Sequence, residues 1–237
     1  MDKSMKIKHK TAVWASPELT ALKPLFKEWT AVVLDYCQSQ NYRDNPWWYN
    51  ERATLSTLAA AAWRIGWVAL EEFSTTKRAK VPARKTEREA ASRGRCDLFI
   101  GRPRDGDQFA IEAKQAWQSI SRRGTGKDCI VKAAKMAWND AGCLDADEAD
   151  TRLALTFVIP YIPTSEVDRP GVQALVDEWL AKKPFQTERT APRAYAYVFP
   201  KDWHSFINAR GLAFPGVALL AEWRKRGRRR LGRTSTC

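Results

Sequence analysis

Three ionisable residues interrupt two short apolar segments, Arg95–Gly101 and Gln108–Trp117, and the two acids among them could hold a divalent cation. Asp97 lies in the first segment, and Glu112 and Lys114 lie in the second with one residue between them. Alternate side chains of a β-strand share a face, so Glu112 and Lys114 are predicted to point the same way. If the two segments pair as antiparallel strands, Asp97 comes to lie beside Glu112.

Two carboxylates at one point repel each other, and buried charges are costly unless they are paired or bound to a metal. A divalent cation relieves that repulsion, and oxygen ligands suit Mg²⁺ or Mn²⁺. Such a metal polarises a phosphate and generates hydroxide from water, while Lys114 can orient that water and stabilise developing charge. The backbone carbonyl of Ala113 lies between the two side chains and could be a further ligand. The simpler interpretation is a salt bridge at a strand edge, because an isolated Glu-x-Lys is common.

Apolar periodicity predicts the elements that position these residues. A helix from Asn50 to about Ile65 places Leu55 on its apolar face, and Glu51, four residues earlier, falls on that same face. A second interpretation of Glu51 is a helix N-terminal carboxylate that the macrodipole favours. A strand follows at Trp67–Phe73, where Glu71 and Glu72 are rival acids. The next strand carries the motif residue Asp97 on one face and Cys96, Leu98 and Ile100 on the other. The remaining predicted elements are a helix at Lys127–Leu144, a buried strand at Arg152–Ile162, a helix at Pro170–Lys182, a strand at 194–200, and Gly216–Trp223 as a strand or short helix.

The flanks of the chain are basic. Residues 1–15 are predicted to be a basic arm, and Pro17 opens a helical stretch with apolar residues spaced at three and four. The tail 224–237 has seven basic residues and no acid. With no repeat and no clear linker, we expect one domain, divided into the basic arm and helix (1–49), a core (50–165), a C-terminal α/β extension of the same domain (166–223) and the basic tail.

The order of the predicted elements over about Asn50 to Ile162 resembles that of the PD-(D/E)XK nuclease superfamily. The elements are a helix, a strand, the strand with Asp97, a turn, the strand with Glu112 and Lys114, a helix and a strand. The resemblance implies an α/β, restriction endonuclease-like αβββαβ core with a central mixed β-sheet flanked by helices. Carried over, Asp97 and Glu112 match the two acids of the motif, Lys114 matches its lysine, and Glu51 matches an extra acid on the first core helix. Cys96 departs from the motif, which has proline before the first acid. The implied activity is hydrolysis of phosphodiesters with Mg²⁺ or Mn²⁺ held by Asp97, Glu112, Ala113 and Glu51.

The composition favours a polyanionic partner. The 237 residues include 40 Lys and Arg against 27 Asp and Glu, a net charge of +13, which suits nucleic acid or an anionic membrane. No apolar run is long enough to span a bilayer, so nucleic acid, most of all DNA, is the expected partner. Five cysteines without a CxxC pair argue against a disulfide framework or zinc site and suit a reducing cytosol, and no signal peptide is expected. The candidate phosphate contacts are Lys80, Arg84, Lys85, Arg93, Arg95, Arg122, Arg123, Lys132 and Lys135.

Several functions stay open at this point. The leading one is a DNA endonuclease; the others are an inactive nuclease-fold module that binds DNA, an RNase on the same scaffold, and an interaction protein whose basic surface meets an acidic partner. A homodimer is expected only by analogy with enzymes that cut both strands. The aromatic segment Pro46–Tyr49 beside Glu51 either packs the helix start onto the sheet or stacks a splayed base.

Overall fold

The elements of the chain form one mixed β-sheet with helices packed against it. The computed structural model describes residues 9–78, 91–104, 106–121, 128–144, 149, 151–166, 169–186, 189–201 and 206–225. In chain order the elements are β1 (Lys10–Ala15), α1 (Lys23–Ser39), α2 (Glu51–Arg64), β2 (Val68–Arg78), β3 (Ala91–Gly101), β4 (Gln108–Ser119), α3 (Cys129–Cys143), β5 (Thr151–Pro163), α4 (Arg169–Ala181), β6 (Arg193–Phe199), β7 (Leu212–Ala213) and β8 (Val217–Trp223), with short 3-10 turns at Pro17–Leu22 and Thr164–Glu166.

Within the described residues, the strands lie in the order β1-β6-β8-β5-β4-β3-β2, and β7 pairs with β5. β4 and β5 are parallel, and α3 makes the crossover between them, whereas β2, β3 and β4 form an antiparallel meander. β5 lies at the centre, and its segment Arg152–Pro160 is buried throughout, as a strand covered on both faces requires. The central mixed sheet flanked by helices confirms the predicted α/β class.

The start of α2 is held by its N-cap. The side chain of Asn50 accepts a hydrogen bond from the Ala53 amide at 2.9 Å, which satisfies one of the free amides of the first helical turn. The predicted apolar face is buried, with Leu55 and Leu58 in the main core. The chain leaves the helix at Gly66, whose φ of +76° is the left-handed conformation that glycine adopts without strain. Glu51 is therefore fixed as the first residue of α2.

The ribbon of β2 and β3 is interrupted at Asp97. Cα partners run from Val68↔Gly101 to Arg78↔Ala91, but Glu72, with φ of 54°, and Asp97 are not paired. The pairing of β3 with β4 likewise runs only from Leu98↔Ile111 to Gly101↔Gln108. The two strands therefore separate where the motif residues begin.

This interruption corrects the predicted face of β3. Leu98 and Ile100 belong to the main core, whereas Cys96 packs with Ala110, Phe73 and Phe99 in a second cluster. The prediction that Cys96 shares the face of Leu98 and Ile100 was wrong, because strict alternation holds only while the strand remains regular. The irregularity re-aims the side chains on either side of Asp97.

The prediction of a basic arm at residues 1–15 was wrong for the last residues of that range. Lys10–Ala15 forms β1, an edge strand that pairs antiparallel with β6. The sequence favoured an arm because its positive charges dominate this segment, but alternation continues through Val13 and Trp14, and an edge strand tolerates a charged face. The C-terminal extension joins the same sheet: β8 pairs with both β5 and β6. Gly216–Trp223 is thus a strand and not a helix, in keeping with its continuous apolar run.

The remaining expectations concern thiols and membranes. In the described ranges the cysteines Cys37, Cys96, Cys129 and Cys143 are free, as predicted from the absence of a paired spacing. Cys37 and Cys96 are buried, and burial raises the pKa of each thiol to about 12, so neither is a reactive thiolate at neutral pH. No helix in the described part of the chain is long and apolar enough to span a membrane.

Candidate active site

Lys114 is the centre of a cluster of carboxylates that come from separate elements. Among the described residues, its Nζ lies 4.0 Å from Glu51 Oε1 on α2, 4.0 Å from Asp97 Oδ2 on β3 and 3.3 Å from Asp140 Oδ2 on α3. It also donates a hydrogen bond to the Ala113 carbonyl at 2.6 Å. The structure thus brings together Glu51, Asp97 and Lys114, as predicted, and adds Asp140.

Glu112 is buried beside this cluster and faces a different lysine. Its side chain is only 2% exposed, and its Oε1 lies 2.7 Å from Nζ of Lys77 on β2. Burial and the negative charge of Asp97 raise the pKa of Glu112 to about 7, although Lys77 and Lys114 act to lower it. With this pKa, the ionised form of the carboxyl group is disfavoured by its surroundings at neutral pH. Such a perturbed pKa is typical of functional sites.

Asp97 takes the place of a backbone partner where β3 and β4 separate. Its Oδ2 accepts a hydrogen bond from the Ala113 amide at 2.8 Å, so the side chain is directed across the gap toward β4. The interruption of the sheet leaves a backbone donor on β4 that the carboxylate then satisfies. This contact fixes Asp97 next to Glu112 and Lys114.

The charges around Lys114 balance one another. Burial is the main cause that raises the pKa of Glu51, and the charges of Asp97 and Asp140 add to it, while Lys114 acts in the opposite direction. Burial acts to lower the pKa of Lys114, but Glu51, Asp97 and Asp140 outweigh it and raise the pKa above its usual value. Lys114 therefore carries a full positive charge at neutral pH.

Two residues of this cluster escaped the sequence analysis. Asp140 is an acidic residue within α3, whose predicted apolar face includes its neighbours Ala137 and Ala141. Its position at the border of that face was the available signal. Lys77 gave no signal, because it begins a long basic run in the sequence. An isolated bridge between Lys77 and Leu144 ties β2 to the end of α3, and this long-range contact brings Lys77 to Glu112.

The rival acids Glu71 and Glu72, and His9, make contacts with other residues. Glu72 forms ion pairs with Arg52 at 2.6 Å and Arg95 at 2.9 Å, and Glu71 accepts a hydrogen bond from Ser56 at 2.9 Å. His9 stacks on the Tyr42 ring and accepts a hydrogen bond from the Lys201 amide. His204 is outside the described residues. These contacts favour the Lys114 cluster over the rival acids as the candidate site.

The predicted phosphate contacts fall in three groups. Lys132 and Lys135 are exposed on α3, the helix that carries Asp140. Arg95 is exposed on β3 and is paired with Glu72. Arg93 belongs to β3, but its side chain is outside the described part. The other candidates also lie outside the described residues: Lys80, Arg84, Lys85, Arg122 and Arg123.

The donor set at the site suits a hard divalent cation in its chemistry. Carboxylate and carbonyl oxygens are the ligands that Mg²⁺ and Mn²⁺ prefer, and a cation would relieve the charge repulsion that raises the pKa of Glu112. However, no group of three or more His, Cys, Asp or Glu side chains in the described residues is arranged to hold a metal. Glu112 forms an ion pair with Lys77, and the Ala113 carbonyl accepts a hydrogen bond from Lys114. These donors could hold a metal only if Lys77 left Glu112 and Lys114 left the Ala113 carbonyl.

Comparisons of the chain with protein-family models, with curated proteins and with solved structures find no match. Any assignment of chemistry therefore depends on the geometry of the described residues. That geometry consists of a buried carboxyl group, a neighbouring carboxylate and a charged lysine at a break in a mixed sheet.

Proposed function

We propose that this protein is a metal-dependent nuclease, with DNA as the substrate and a restriction endonuclease-like core formed by α2, β2, β3, β4, α3 and β5. The observation that carries the proposal is the convergence of buried Glu112, Asp97 and Lys114 where β3 and β4 separate. A salt bridge at a strand edge does not require a carboxyl group that is 2% exposed and has a pKa raised to about 7. Its burial costs stability, which a site under functional constraint tolerates.

The metal ligands in this proposal are Asp97, Glu112 and the Ala113 carbonyl, with Glu51 as a further acid at the start of α2. A bound Mg²⁺ or Mn²⁺ would polarise the phosphate and acidify a water molecule. Lys114, which stays protonated, orients that water and stabilises negative charge on the phosphate oxygens.

The carboxylates of Glu51 and Asp140 on either side of Lys114 hold its ammonium group in place and keep it charged.

The basic surface supplies affinity for a polyanion. With a net charge of +13, the chain is attracted to nucleic acid through phosphate contacts that carry no sequence information. Lys132 and Lys135 are exposed on α3 and bring positive charge to the helix that contributes Asp140 to the cluster. These lysines are suited to bind the backbone that flanks the phosphate at Lys114.

The test is cleavage of supercoiled plasmid with Mg²⁺, Mn²⁺ or EDTA by the wild type, Glu112→Gln and Lys114→Ala. The matched control is Glu222→Gln, because Glu222 is also buried in the sheet, 1% exposed, with its Oε2 3.7 Å from Arg189. We expect nicking or linear product that needs the metal, vanishes in both site variants and persists in the control. Cleavage that survives in both site variants would show that Glu112 and Lys114 do not perform it. Parallel single-stranded, branched and RNA substrates decide between DNase and RNase.

The second candidate is a nuclease-fold module that binds DNA without cutting it. The observation in its favour is that the metal donors are already occupied, Glu112 by Lys77 and the Ala113 carbonyl by Lys114. For this function we expect salt-sensitive binding of DNA that Glu112→Gln leaves unchanged, and no cleavage with any metal.

A further inference from the structure

An aromatic cleft of about 590 Å³ opens on the protein surface. Its volume is in the range of ligand sites, about 300 to 1,000 Å³. The predicted metal ligands and the Lys114 cluster do not include any residue of its lining. The side chains that line it, here called the aromatic cleft, are those of Trp48, Tyr49, Trp117, Tyr161, Asn208, Arg210, Leu212 and Phe214.

The aromatic cleft is connected to the Lys114 cluster along two chain segments. Tyr49 is two residues before Glu51, and Trp117 is three residues after Lys114 on β4, about 10 Å along a strand. The two segments are tied together, because Gln115 Nε2 donates a hydrogen bond to the Trp47 carbonyl at 2.8 Å. The aromatic cleft and the Lys114 cluster are therefore built on the same two chain segments.

The cleft is built from rings that are already held in place. Trp117 packs edge-on against Phe214 with ring centroids 5.4 Å apart, and Tyr161 lies 6.4 Å from the same ring. Tyr49 is 56% exposed, yet its hydroxyl donates a hydrogen bond to Asp44 Oδ1 at 2.9 Å. An exposed ring with a fixed orientation is suited to stack on a planar ligand at small entropic cost.

A cation completes the lining. Arg210 is exposed on a turn that the side chain of Asn208 stabilises. The Oδ1 atom of Asn208 accepts hydrogen bonds from the backbone amides of Arg210 and Leu212, each at 3.0 Å. Gly211 allows the turn with a φ of +69°. Aromatic faces next to a guanidinium group match a base and its phosphate, which is the combination that single-stranded nucleic acid presents.

We infer that the aromatic cleft binds an unstacked base of a single-stranded segment of nucleic acid. Tyr49 stacks on the base, and Arg210 pairs with a flanking phosphate. The inference rests on the proposed nuclease function and narrows its substrate to single strands or to locally unpaired regions of a duplex. A base inside a regular duplex is stacked on its neighbours and cannot enter the cleft without unpairing.

The test measures fluorescence anisotropy of a short labelled single-stranded DNA and of the matched duplex, in EDTA so that no cleavage occurs. The proteins are the wild type, Tyr49→Ala, Tyr49→Phe, Arg210→Gln and Trp63→Ala. Trp63 is a matched control, because it is 57% exposed but lies twelve residues beyond Glu51 on α2. We expect Tyr49→Ala to weaken single-strand binding about five-fold or more, as loss of one stacked base predicts, and Arg210→Gln to reduce its salt dependence. Trp63→Ala should bind as the wild type does, whereas Tyr49→Phe should weaken binding less than Tyr49→Ala, because it keeps the stacking ring and loses only the hydrogen bond that orients it.

Equal binding of single strand and duplex, or unchanged single-strand binding by folded Tyr49→Ala, would overturn the inference. A thermal unfolding curve for each variant shows that it is folded, and Tyr49→Phe separates the ring from its hydrogen bond to Asp44. The plasmid and oligonucleotide cleavage assays with metal report separately on the nuclease. Binding that depends on Tyr49 without any cleavage removes the proposed nuclease activity but not the base site. Metal-dependent cleavage together with unchanged single-strand binding by Tyr49→Ala removes the base site but not the nuclease.

Discussion

Replacement of Glu112 by Gln is expected to stabilise the protein at about pH 8 while it removes the proposed cleavage. Glu112 is 2% exposed, and its charged form is disfavoured because burial and Asp97 raise its pKa. Gln has nearly the same shape but no charge to bury. The substitution therefore separates the cost of the carboxylate to folding from its proposed use in catalysis.

The sign and size follow from the pKa of Glu112. The ordinary value is 4.5 and the folded value is about 7, so between these values the folded protein binds more protons than the unfolded chain. The stability that this group contributes is complete below the unfolded pKa and is lost as pH rises through the folded pKa. The difference corresponds to about 3 kcal/mol. The attraction of Lys77 is already contained in this pKa, and with allowance for imperfect packing of the amide we expect a gain of about 1 to 3 kcal/mol at about pH 8.

The assay is thermal unfolding of the wild type and Glu112→Gln at about pH 5 and pH 8. For a chain of 237 residues the expected gain raises Tm by roughly 2 to 12 °C at the higher pH and by little at the lower pH. The other titrating groups are the same in both proteins, so the difference between the two curves isolates Glu112. Glu222→Gln is the control for removal of a buried carboxylate elsewhere in the sheet.

The reasoning is refuted if Glu112→Gln is less stable than the wild type at the higher pH, or if the two proteins change with pH in parallel. The first result would mean that the Lys77–Glu112 ion pair outweighs the burial cost. A second measurement adds Mg²⁺: a ligand that binds the folded state raises its stability. We expect Mg²⁺ to raise Tm of the wild type at the higher pH and to leave Glu112→Gln unchanged.

Three further substitutions test individual contacts. Asp97→Ala is expected to lower the free energy of unfolding by about 1 to 2 kcal/mol, because it loses the hydrogen bond from the Ala113 amide. Asp97→Asn keeps an acceptor and most of that stability, but it should lose plasmid cleavage. Equal urea midpoints for the two variants would contradict this prediction. Lys77→Met leaves Glu112 without its cation and should cost about 3 to 5 kcal/mol at about pH 8 in urea unfolding, with a smaller loss at low pH, where the carboxyl group is neutral. Asn50→Ala should cost about 1 kcal/mol through loss of the N-cap, and a midpoint like that of the wild type would show that the cap contributes nothing.

Local patterns were sufficient to predict the elements that carry the motif. Alternation in Gln108–Trp117 predicted a strand with Glu112 and Lys114 on one face, and the short turn before it predicted antiparallel pairing with the strand of Asp97. The continuous apolar run of Arg152–Ile162 predicted a buried strand. These predictions succeeded because each depends on residues close together in the chain, where the period of a strand or helix dictates which side chains share a face.

Tertiary contacts decided how these elements meet. The break between β3 and β4 at Asp97, which directs its carboxylate to the Ala113 amide, depends on the pairing of separate strands and not on local propensity. Asp140 joins the cluster because α3 packs on β4 and β5, and Lys77 joins because β2 meets the end of α3.

The sequence by itself determined which charges lie on β3 and β4, because strand periodicity is local. Only the tertiary structure decided that Lys77 neutralises Glu112 and that Asp140 helps to hold Lys114, because long-range packing sets the burial and the neighbours of each charge. Burial and neighbouring charges are the causes that shift a pKa, so the electrostatic character of the site is a property of the fold.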